Sequence, residues 1–473
     1  MMASKYKPYP KYKDSGIQWI GEIPEGWEVR KSSSFGFFSS SGINKKTEAD
    51  EALVKMVNYT DIYGNNSLAI DSKRELMTVS CPKGKVIYCN LKKGDFVFTP
   101  SSETEEDIGL SAVILEDIQN TVFSYHVIRF RPIINIKLHY KKYIGNNHFV
   151  LSQFSRTCKG TTRQILTHND FKNILMILPP LTEQTAIANF LDKKTAKIDA
   201  LIEKDKQLIE LLKEKRAALI NHAVTKGLPV RDQNIKMKDS GVEWIGEIPE
   251  GWEVRKIKHL AGNCSIPVQT GPFGAQLHAE DYVNEGIPFI LIRNIYDGKI
   301  NLKDIPFITE KDAERLSMYK LKEGDYVFSR VGTLGRCAIV TKSEEGWLIS
   351  GQMLRLRLKD IRLNLSFIGY VFQSKISEDY LSLQSIGSTR ESLNTEIVMN
   401  MPVSFPPLPE QTTIANFLDK ATAKIDKTIQ KIKEKINLLE EYKKSLIHYV
   451  VTGKVDVRGP PVWASRTQTG VVI

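Results

Sequence analysis

The hydrophobic pattern changes its period along the chain, and this change separates two kinds of element. Short runs rich in β-branched and aromatic residues, alternating with polar ones, predict strands. These runs are 93–100, 110–117 and 125–134 in the first half, and 287–295, 323–332, 336–340 and 353–359 in the second half. Helix is mixed in, for instance around Phe367–Ile376. The pattern therefore predicts an α+β fold with two β-rich regions.

Two long segments show helical spacing instead. Each follows a proline pair, carries a glutamate in its first turn and runs to a glycine, Gly227 or Gly453, where a helix can end. Apolar residues recur at alternating spacings of four and three, which is typical of a coiled-coil seam. The predicted seam positions are Ile187, Leu191, Lys194, Ile198, Leu201, Asp205, Leu208, Leu212, Lys215, Leu219 and His222 in the first segment, and Ile414, Leu418, Ala421, Ile425, Thr428, Ile432, Lys435, Leu439, Tyr442, Leu446 and Tyr449 in the second.

Each such helix would form a rod on the order of 65 Å at about 1.5 Å per residue. A single apolar stripe needs a partner, and two arrangements are open. The two helices form an antiparallel coiled coil that relates the two halves by a pseudo-two-fold axis, or each helix lies along its own domain. The breaks at Lys194, Asp205, Lys215 and Lys435 argue against an uninterrupted zipper. They leave room for a further protein on the outside of the helices.

The chain repeats its own sequence in two blocks. Lys13–Lys31 recurs as Lys238–Lys256 with two differences in 19 positions, and Pro179–Asp199 recurs as Pro406–Asp426 with three differences in 21. Between the blocks the two copies barely agree, so the pattern predicts one scaffold that presents two different specificities. The predicted parts are a leading segment (1–26), a first β-rich domain (27–178), a central helix (179–231), a repeated leading segment (232–251), a second β-rich domain (252–405), a C-terminal helix (406–458) and a tail without assignment (459–473).

Composition narrows the class of protein. At 473 residues the chain is too long for one core, and 66 Lys plus Arg against 55 Asp plus Glu give a net charge of +11, which favours an anionic partner such as nucleic acid. The five cysteines are scattered without a CxxC pair, as expected of reduced thiols in a cytoplasmic protein. The N-terminus lacks an apolar signal region, and no apolar run approaches the roughly 18 residues of a membrane span.

Sequence motifs for catalysis are missing. The chain has no GxxxxGK[ST] loop and no Asn/Asp-Pro-Pro-aromatic motif of the kind that amino-methyltransferases carry, and its eight histidines form no HExxH motif. We therefore expect a chain that is not an enzyme, holds no metal and binds no cofactor of its own.

The order of these parts carries a resemblance to a known family. Together with the IGEIPEGWEV segments, the PPLxEQxxIAxFLDxxTAKID helix starts and the GDFVF and GDYVFSR strands, it closely resembles the DNA-specificity subunit of type I restriction-modification systems, over residues 1 to about 458. The resemblance implies that each β-rich domain is a target recognition domain that reads one half of a bipartite, asymmetric site in double-stranded DNA. It also implies that the helices are spacers between the half-sites.

The same resemblance implies partners. Two methyltransferase subunits would bind along the spacer helices, and restriction/translocase subunits would complete the complex. S-adenosylmethionine would belong to the methyltransferase partner, and ATP and Mg to the restriction partner. Two other readings stay open: the recognition subunit of a related two-subunit methylase–nuclease, and a coiled-coil scaffold without DNA specificity.

One loop that is similar in both copies is a candidate for binding the DNA backbone. Lys159–Gln164 corresponds to Ile386–Glu391, and glycine, hydroxyls and arginine together suit a phosphate. The candidate residues are Thr161, Thr162, Arg163, Ser388, Thr389 and Arg390. A purely structural loop is an equal alternative.

The residues that read bases should lie in the unlike loops, because the two copies would read different letters. The candidates in the second copy are Gln269, Thr270, Arg293, Asn294, Ser329, Arg330 and Thr333, and those in the first copy are Lys45, Lys46, Asn58, Thr60, Ser101, Ser102 and Thr104. The acidic run Glu103–Asp107 either accepts a hydrogen bond from a cytosine amino group or lies away from the DNA.

Overall fold

The computed structural model describes residues 6–45, 47–48, 51–228, 236–272, 276–296, 298–331, 336–385 and 393–459. The chain divides into two compact units. The first unit consists of Met1–Asp205 and Glu434–Ile473, and the second of Lys206–Lys433. Both boundaries fall inside the long helices, so each unit contains one β-rich domain and one part of each helix.

The first unit begins with short strands and ends on the first long helix. Its strands are β1 (Tyr12–Asp14), β2 (Glu22–Pro24), β3 (Glu28–Lys31), β4 (Gly36–Ser39), β5 (Ala52–Val57), β6 (Ala69–Ile70), β7 (Met77–Cys81), β8 (Phe96–Phe98), β9 (Ser101–Ser102), β10 (Ser111–Ile114), β11 (Thr121–Phe123), β12 (Ile128–Pro132), β13 (Gln164–Ile165) and β14 (Leu175–Leu178). Its helices are α1 (Tyr59–Ile62), α2 (Lys83–Tyr88), α3 (Leu138–Gly145), α4 (His148–Thr157), α5 (His168–Asn173) and α6 (Leu181–Lys226), of which α6 continues into the second unit.

The second unit repeats this plan with different lengths. Its strands are β15 (Met237–Asp239), β16 (Glu247–Pro249), β17 (Glu253–Lys256), β18 (Val268–Thr270), β19 (Ile287–Ile290), β20 (Ile295–Tyr296), β21 (Lys299–Ile300), β22 (Phe307–Ile308), β23 (Tyr326–Ser329), β24 (Cys337–Ile339), β25 (Leu348–Ile349), β26 (Met353–Leu356) and β27 (Pro402–Phe405). Its helices are α7 (Glu310–Arg315), α8 (Leu365–Phe372), α9 (Lys375–Ser385), α10 (Thr395–Asn400) and α11 (Leu408–Val451), of which α11 continues into the first unit.

The two β-rich domains share a sheet topology although their sequences differ. The main sheet has the order β4-β12-β8-β10-β6 in the first domain and β18-β26-β23-β24 in the second. A second sheet, β11-β5-β7 or β25-β19-β22, contains one parallel and one antiparallel pairing in each copy. The strands predicted from β-branched and aromatic runs are confirmed, and the fold is the predicted α+β fold with two β-rich domains and two long helices.

An aspartate after the glycine of the GDF and GDY motifs anchors the central strand of each main sheet. Asp95 accepts a backbone hydrogen bond of 2.8 Å from Lys92 and bonds of 2.7 and 2.6 Å from the Arg131 guanidinium on β12. Asp325 makes the same contacts with Lys322 and with Arg357, directly after β26. The motif is therefore repeated because each copy needs a buried carboxylate to turn the chain into its central strand.

The leading segments form hairpins, β1–β2 and β15–β16, that precede a buried tryptophan. Ile23 and Trp27 are buried in the first unit, and Ile248 and Trp252 are buried in the second. The Trp27 indole N–H donates a hydrogen bond of 3.0 Å to Glu183 at the start of α6. Each repeated block thus joins its leading segment to the core of its own unit.

The repeated helix starts contact their own β-rich domains through equivalent residues. The buried Gln184 side chain donates to the Pro179 carbonyl at 2.8 Å and accepts from the Lys137 backbone at 2.9 Å, and Gln411 donates to the Pro406 carbonyl at 2.8 Å. Gln411 also accepts from the Asn364 backbone at 2.9 Å. Buried amides of this kind need both kinds of partner, which explains why the EQ pair recurs.

Both long helices are confirmed, but the predicted seam is wrong at alternate positions. The buried stripe of α6 includes Leu191, Ile198 and Asp205 as predicted, whereas Lys194, Leu201, Leu208, Lys215 and His222 lie off it. Their places are taken by the next residues, Thr195, Ile202, Ile209, Arg216 and Ala223. In α11 the same shift replaces Ala421, Thr428, Lys435 and Tyr449 by the more buried Thr422, Ile429, Ile436 and Val450, whereas Tyr442 and Lys443 are both half-buried.

The shift has a physical reason. Leu201 and Leu208 are each followed by an isoleucine, so two neighbouring series have the same spacing and only packing selects one. Thr195 joins the buried stripe because its hydroxyl donates to the Leu191 carbonyl at 2.8 Å, which satisfies its polar group. The coiled-coil supercoil and the two-fold relation of the copies stay predictions.

Candidate nucleic-acid interface

The loops at one edge of the first main sheet bring several predicted residues together. β9 follows the central strand β8 and pairs with β13, so Ser101 and Ser102 lie beside Ile165 and Gln164. The loop before β13 is tight: Gly160 has φ +140°, and a Cβ there would lie 2.0 Å from the Arg163 carbonyl oxygen. Glycine is therefore required at this turn. The three residues that follow it, Thr161, Thr162 and Arg163, are exposed.

Aromatic and cationic groups surround this loop. The Arg163 guanidinium lies 6.0 Å from the centroid of the Tyr59 ring, which stacks on Tyr63 at 5.3 Å. Burial, and then the charges of Arg163 and Lys45, lower the pKa of His126 and favour its neutral imidazole. Burial raises the pKa of Tyr59, while the Ser102 hydroxyl and Arg163 oppose that rise. This edge therefore combines positive charge with exposed aromatic rings.

Sequence reasoning missed three tyrosines at this edge. Tyr59, Tyr63 and Tyr125 lie at this edge, and Tyr63 and Tyr125 are 43% and 50% exposed. Aromatic rings beside an arginine suit stacking on bases or sugars. The available signal was aromatic residues within polar, unmatched loops, such as Asn58-Tyr59-Thr60.

The acidic run also lies at this edge. Asp107 accepts hydrogen bonds of 3.3 Å from both Tyr63 and Thr104, and its charge is the main cause that raises the pKa of Tyr63. These carboxylates reduce the positive potential next to Arg163. The acidic run is largely exposed and lies near this loop. Both interpretations therefore stay open: that it accepts a hydrogen bond from a cytosine amino group, or that it lies away from the DNA.

The other first-copy candidates divide by exposure. Lys45, Thr60 and Thr104 are exposed, whereas Asn58, Ser101 and Ser102 are buried. Asn58 caps α1 and accepts a hydrogen bond of 3.1 Å from Ser124, so its side chain is used within the fold. Lys46 lies outside the described residues.

In the second unit the corresponding sheet edge holds Gln269, Thr270 and Arg330. Thr270 ends β18 and pairs with Leu354, and the Arg330 backbone N–H donates to the Gln352 carbonyl at 2.9 Å. The Arg330 guanidinium donates to the Leu393 carbonyl at 3.2 Å, which holds it at this edge. All three are partly exposed.

Two second-copy candidates are buried and used within the fold. Asn294 donates at 3.1 Å to the carbonyls of Asn301 and Lys303, and Ser329 accepts at 3.1 Å from the Arg336 backbone N–H. Neither side chain faces solvent, so sequence reasoning misplaced them on the surface. Arg293 is exposed and donates to the Asp304 carbonyl at 2.9 Å. Thr333, Ser388, Thr389 and Arg390 lie outside the described residues.

Across the described ranges, no three His, Cys, Asp or Glu side chains come together as metal ligands. Within that same part of the chain, no helix combines the length and apolar character that a membrane crossing requires.

A cleft of about 370 Å³ lies in the second unit, beside Tyr370, Arg216 and Asp426. Within it, Arg216 contacts Asp426 at 3.2 Å, and Tyr370 donates to Asp419 at 2.7 Å.

The fold therefore defines a protein built from two copies of one β-rich domain that differ at the same sheet edge. The family described as the type I restriction modification DNA specificity domain matches residues 24–211 and 249–438, about four fifths of the chain. The chain belongs to this family and carries two of its DNA specificity domains, which confirms the resemblance seen in the sequence.

Individual relatives agree with this assignment. The chain is similar to the type I restriction enzyme MjaVIII specificity subunit of Methanocaldococcus jannaschii, with 27% identity over 63% of this chain and 66% of that protein. It is also similar to the putative type I restriction enzyme MjaX specificity subunit of the same organism, with 24% identity over 93% of this chain and 96% of that protein.

A solved structure shares the fold. It comes from work on the structural basis underlying complex assembly and conformational transition of the type I R-M system. It matches this chain with a TM-score of 0.59 at 16% identity, over 92% of this chain and 99% of that one.

Proposed function

We propose that this chain is the DNA-recognition subunit of a type I restriction-modification system and that each β-rich domain reads one half of a bipartite, asymmetric target. The observation that carries the proposal is the presence of two DNA specificity domains, each with its unlike loops at the equivalent edge of its own main sheet. Two modules on one chain differ in sequence, so the target need not be a palindrome.

The exposed residues at these edges supply the contacts. In the first domain Thr161, Thr162 and Arg163 contact the DNA backbone, beside the stacked rings of Tyr59 and Tyr63. In the second domain Gln269, Thr270, Arg330 and Arg293 are the candidates that remain exposed. Ser388, Thr389, Arg390 and Thr333 stay candidates on sequence grounds alone.

The chain itself catalyses no reaction in this proposal. Two methyltransferase subunits bind along the long helices and supply S-adenosylmethionine chemistry, and restriction/translocase subunits supply ATP- and Mg-dependent cleavage. Exposed apolar side chains on the helices, among them Leu211, Phe417 and Leu438, support a protein partner there.

The test exchanges one domain in cells that carry the methyltransferase partner. Residues 27–178 are replaced by the corresponding insert of another family member, and adenine methylation is mapped across the genome. We expect a split motif in which one half changes and the other half stays. The matched control exchanges residues 252–405 and should alter the other half only.

Each outcome is informative. A change of both halves after one exchange contradicts the modular assignment. Absence of any split motif, with the chain and methyltransferase purified as a complex, favours a scaffold without DNA specificity. A split motif with no separate translocase favours the related two-subunit methylase–nuclease.

A further inference from the structure

Ion pairs join the long helices inside each of the two units. In the first unit Lys443 lies 2.7 Å from Asp199. In the second unit Arg216 lies 3.2 Å from Asp426. The two helix starts, Pro179 and Pro406, are 227 residues apart in the sequence. At this offset Asp199 corresponds to Asp426 and Arg216 corresponds to Lys443. These two ion pairs are therefore two copies of one contact.

A further ion pair joins two residues that are not repeated at the corresponding positions of the other unit. In the first unit Lys435 lies 2.9 Å from Asp205, which belongs to the buried stripe of α6 and is only 7% exposed. At the same offset Asp205 corresponds to Ile432, and Lys435 corresponds to Leu208. An ion pair in one place thus has two apolar residues as its counterpart in the other.

The duplicated frame creates a competitor for the native pairing. The helix starts differ at three of 21 positions and the leading segments at two of 19, so the ends of the two copies are nearly interchangeable. In the same register, α6 of one chain would also fit α6 of a second chain. Asp199 would then meet Arg216 of that second chain, so the copied ion pair would form again and would not discriminate.

Asp205 behaves differently in that competitor. It would face Leu208 of the second chain, and its buried carboxylate would lose its cation. A buried charge without a partner is strongly unfavourable, whereas a partner that reaches it from the half-exposed Lys435 satisfies it. The penalty arises twice in a symmetric pair of chains.

We propose that the Asp205–Lys435 ion pair selects pairing between the two different helices of one chain and excludes pairing between identical helices of two chains. A single polar position is known to fix partner choice in helical seams, because the wrong pairing leaves it unsatisfied. This selection does not depend on the proposed DNA-binding function.

The test uses full-length chains with two different affinity tags, expressed in the same cells. Wild-type chains should not co-purify above the background of lysates mixed after lysis. In the variant Asp205→Ile with Lys435→Leu, both positions carry the same residues as their counterparts Ile432 and Leu208 in the other helix. We expect the amount of the second chain that co-purifies to rise roughly tenfold or more above the wild-type amount. Light scattering should show a species of twice the mass. The exchanged variant Asp205→Lys with Lys435→Asp keeps an asymmetric ion pair and should resemble the wild type.

A second variant protects the test from a folding failure. Leu208→Lys changes a residue that is 44% exposed and leaves Asp205 and Lys435 in place, yet it offers Asp205 a cation in the identical-helix pairing. We expect it to increase co-purification as well. The proposal is wrong if Asp205→Ile with Lys435→Leu and Leu208→Lys both keep the wild-type thermal midpoint and stay single chains, or if the exchanged variant associates as strongly as they do.

Discussion

The phenol of Tyr370 donates a hydrogen bond of 2.7 Å to the carboxylate of Asp419, and Tyr143 makes the same contact with Asp192. Each tyrosine belongs to a helix of a β-rich domain, and each aspartate belongs to the repeated FLD sequence of a long helix. The pair ties the variable domain to the repeated frame, which explains why the aspartate occurs in both copies.

This contact should make stability depend on pH in the alkaline range. Burial is the main cause that raises the pKa of Tyr370 to about 12, with Asp419 adding to it and the Thr422 hydroxyl opposing it. In the unfolded chain a tyrosine has a pKa of about 10. The neutral phenol therefore contributes stability that is fully present below pH 10 and is lost as the pH rises from about 10 to 12.

The variant Tyr370→Phe should lower the free energy of unfolding by about 1–2 kcal/mol near neutral pH and weaken its alkaline decline. Urea unfolding between pH 7 and 12 measures both. Tyr296→Phe is the matched control, because Tyr296 is 53% exposed. Parallel pH curves for wild type and Tyr370→Phe would show that Tyr370 does not carry the alkaline effect.

The buried carboxylate of Asp95 should be essential to the first β-rich domain. Asp95 is 1% exposed, and its removal would leave Arg131 without its carboxylate. We expect Asp95→Ala to destabilise the first unit by about 3 kcal/mol or more. Urea unfolding monitored by hydrogen exchange measures this, with Glu105→Ala in the exposed acidic run as control. A loss no larger than that of the control would contradict the structural role.

The chain should tolerate circular permutation, because its terminal segments meet within the first unit. The Asp456 backbone N–H donates to the Lys7 carbonyl at 2.9 Å, and the Arg458 guanidinium lies 4.6 Å from the Tyr9 ring centroid. In the second unit Lys226 contacts the Glu247 carbonyl as Lys454 contacts that of Glu22 in the first. The leading segments therefore close both helix ends in the same way.

A permutant that joins residue 459 to residue 6 and opens between 231 and 232 should fold with a thermal midpoint within roughly 2–4 °C of the wild type. Opening the chain between Asp205 and Lys206, inside α6, is the control and should be far more damaging. Differential scanning calorimetry compares the two. Equal losses in both permutants would contradict the closed arrangement.

Arg163 provides a test of the DNA edge. If its guanidinium binds a phosphate, Arg163→Ala weakens binding to all sequences and lowers the slope of log affinity against log salt by about 0.9. DNA titrations of the chain together with its proposed methyltransferase partner at several salt concentrations measure this slope. Arg156→Ala is the control, because Arg156 packs 5.6 Å from the centroid of the Trp19 ring.

Other outcomes for Arg163 have clear meanings. An unchanged slope with relaxed preference at one base pair would assign Arg163 to base reading instead. No change in either quantity would leave the loop with a structural role, which is the alternative that the sequence keeps open.

The sequence by itself determined the frame of this protein. The duplicated blocks, the proline pairs and the glycines at the helix ends predicted the order of the parts and the approximate start and end of both long helices, because these signals act locally along the chain. The GDF and GDY motifs likewise predicted strands, since short apolar runs after a turn need no distant partner to be recognised.

Only the tertiary structure decided which neighbouring residues face inward. Ile202 is buried and Leu201 is half exposed although both are apolar, and Asn294 and Ser329 are buried although both are polar. Packing and hydrogen bonds from distant segments make these choices: Asn294 is satisfied by carbonyls seven and nine residues away, and Asp205 by a lysine 230 residues away. Sequence spacing does not contain those contacts. It therefore could not identify which residues form the buried stripe of each helix or which candidate DNA-binding residues are exposed.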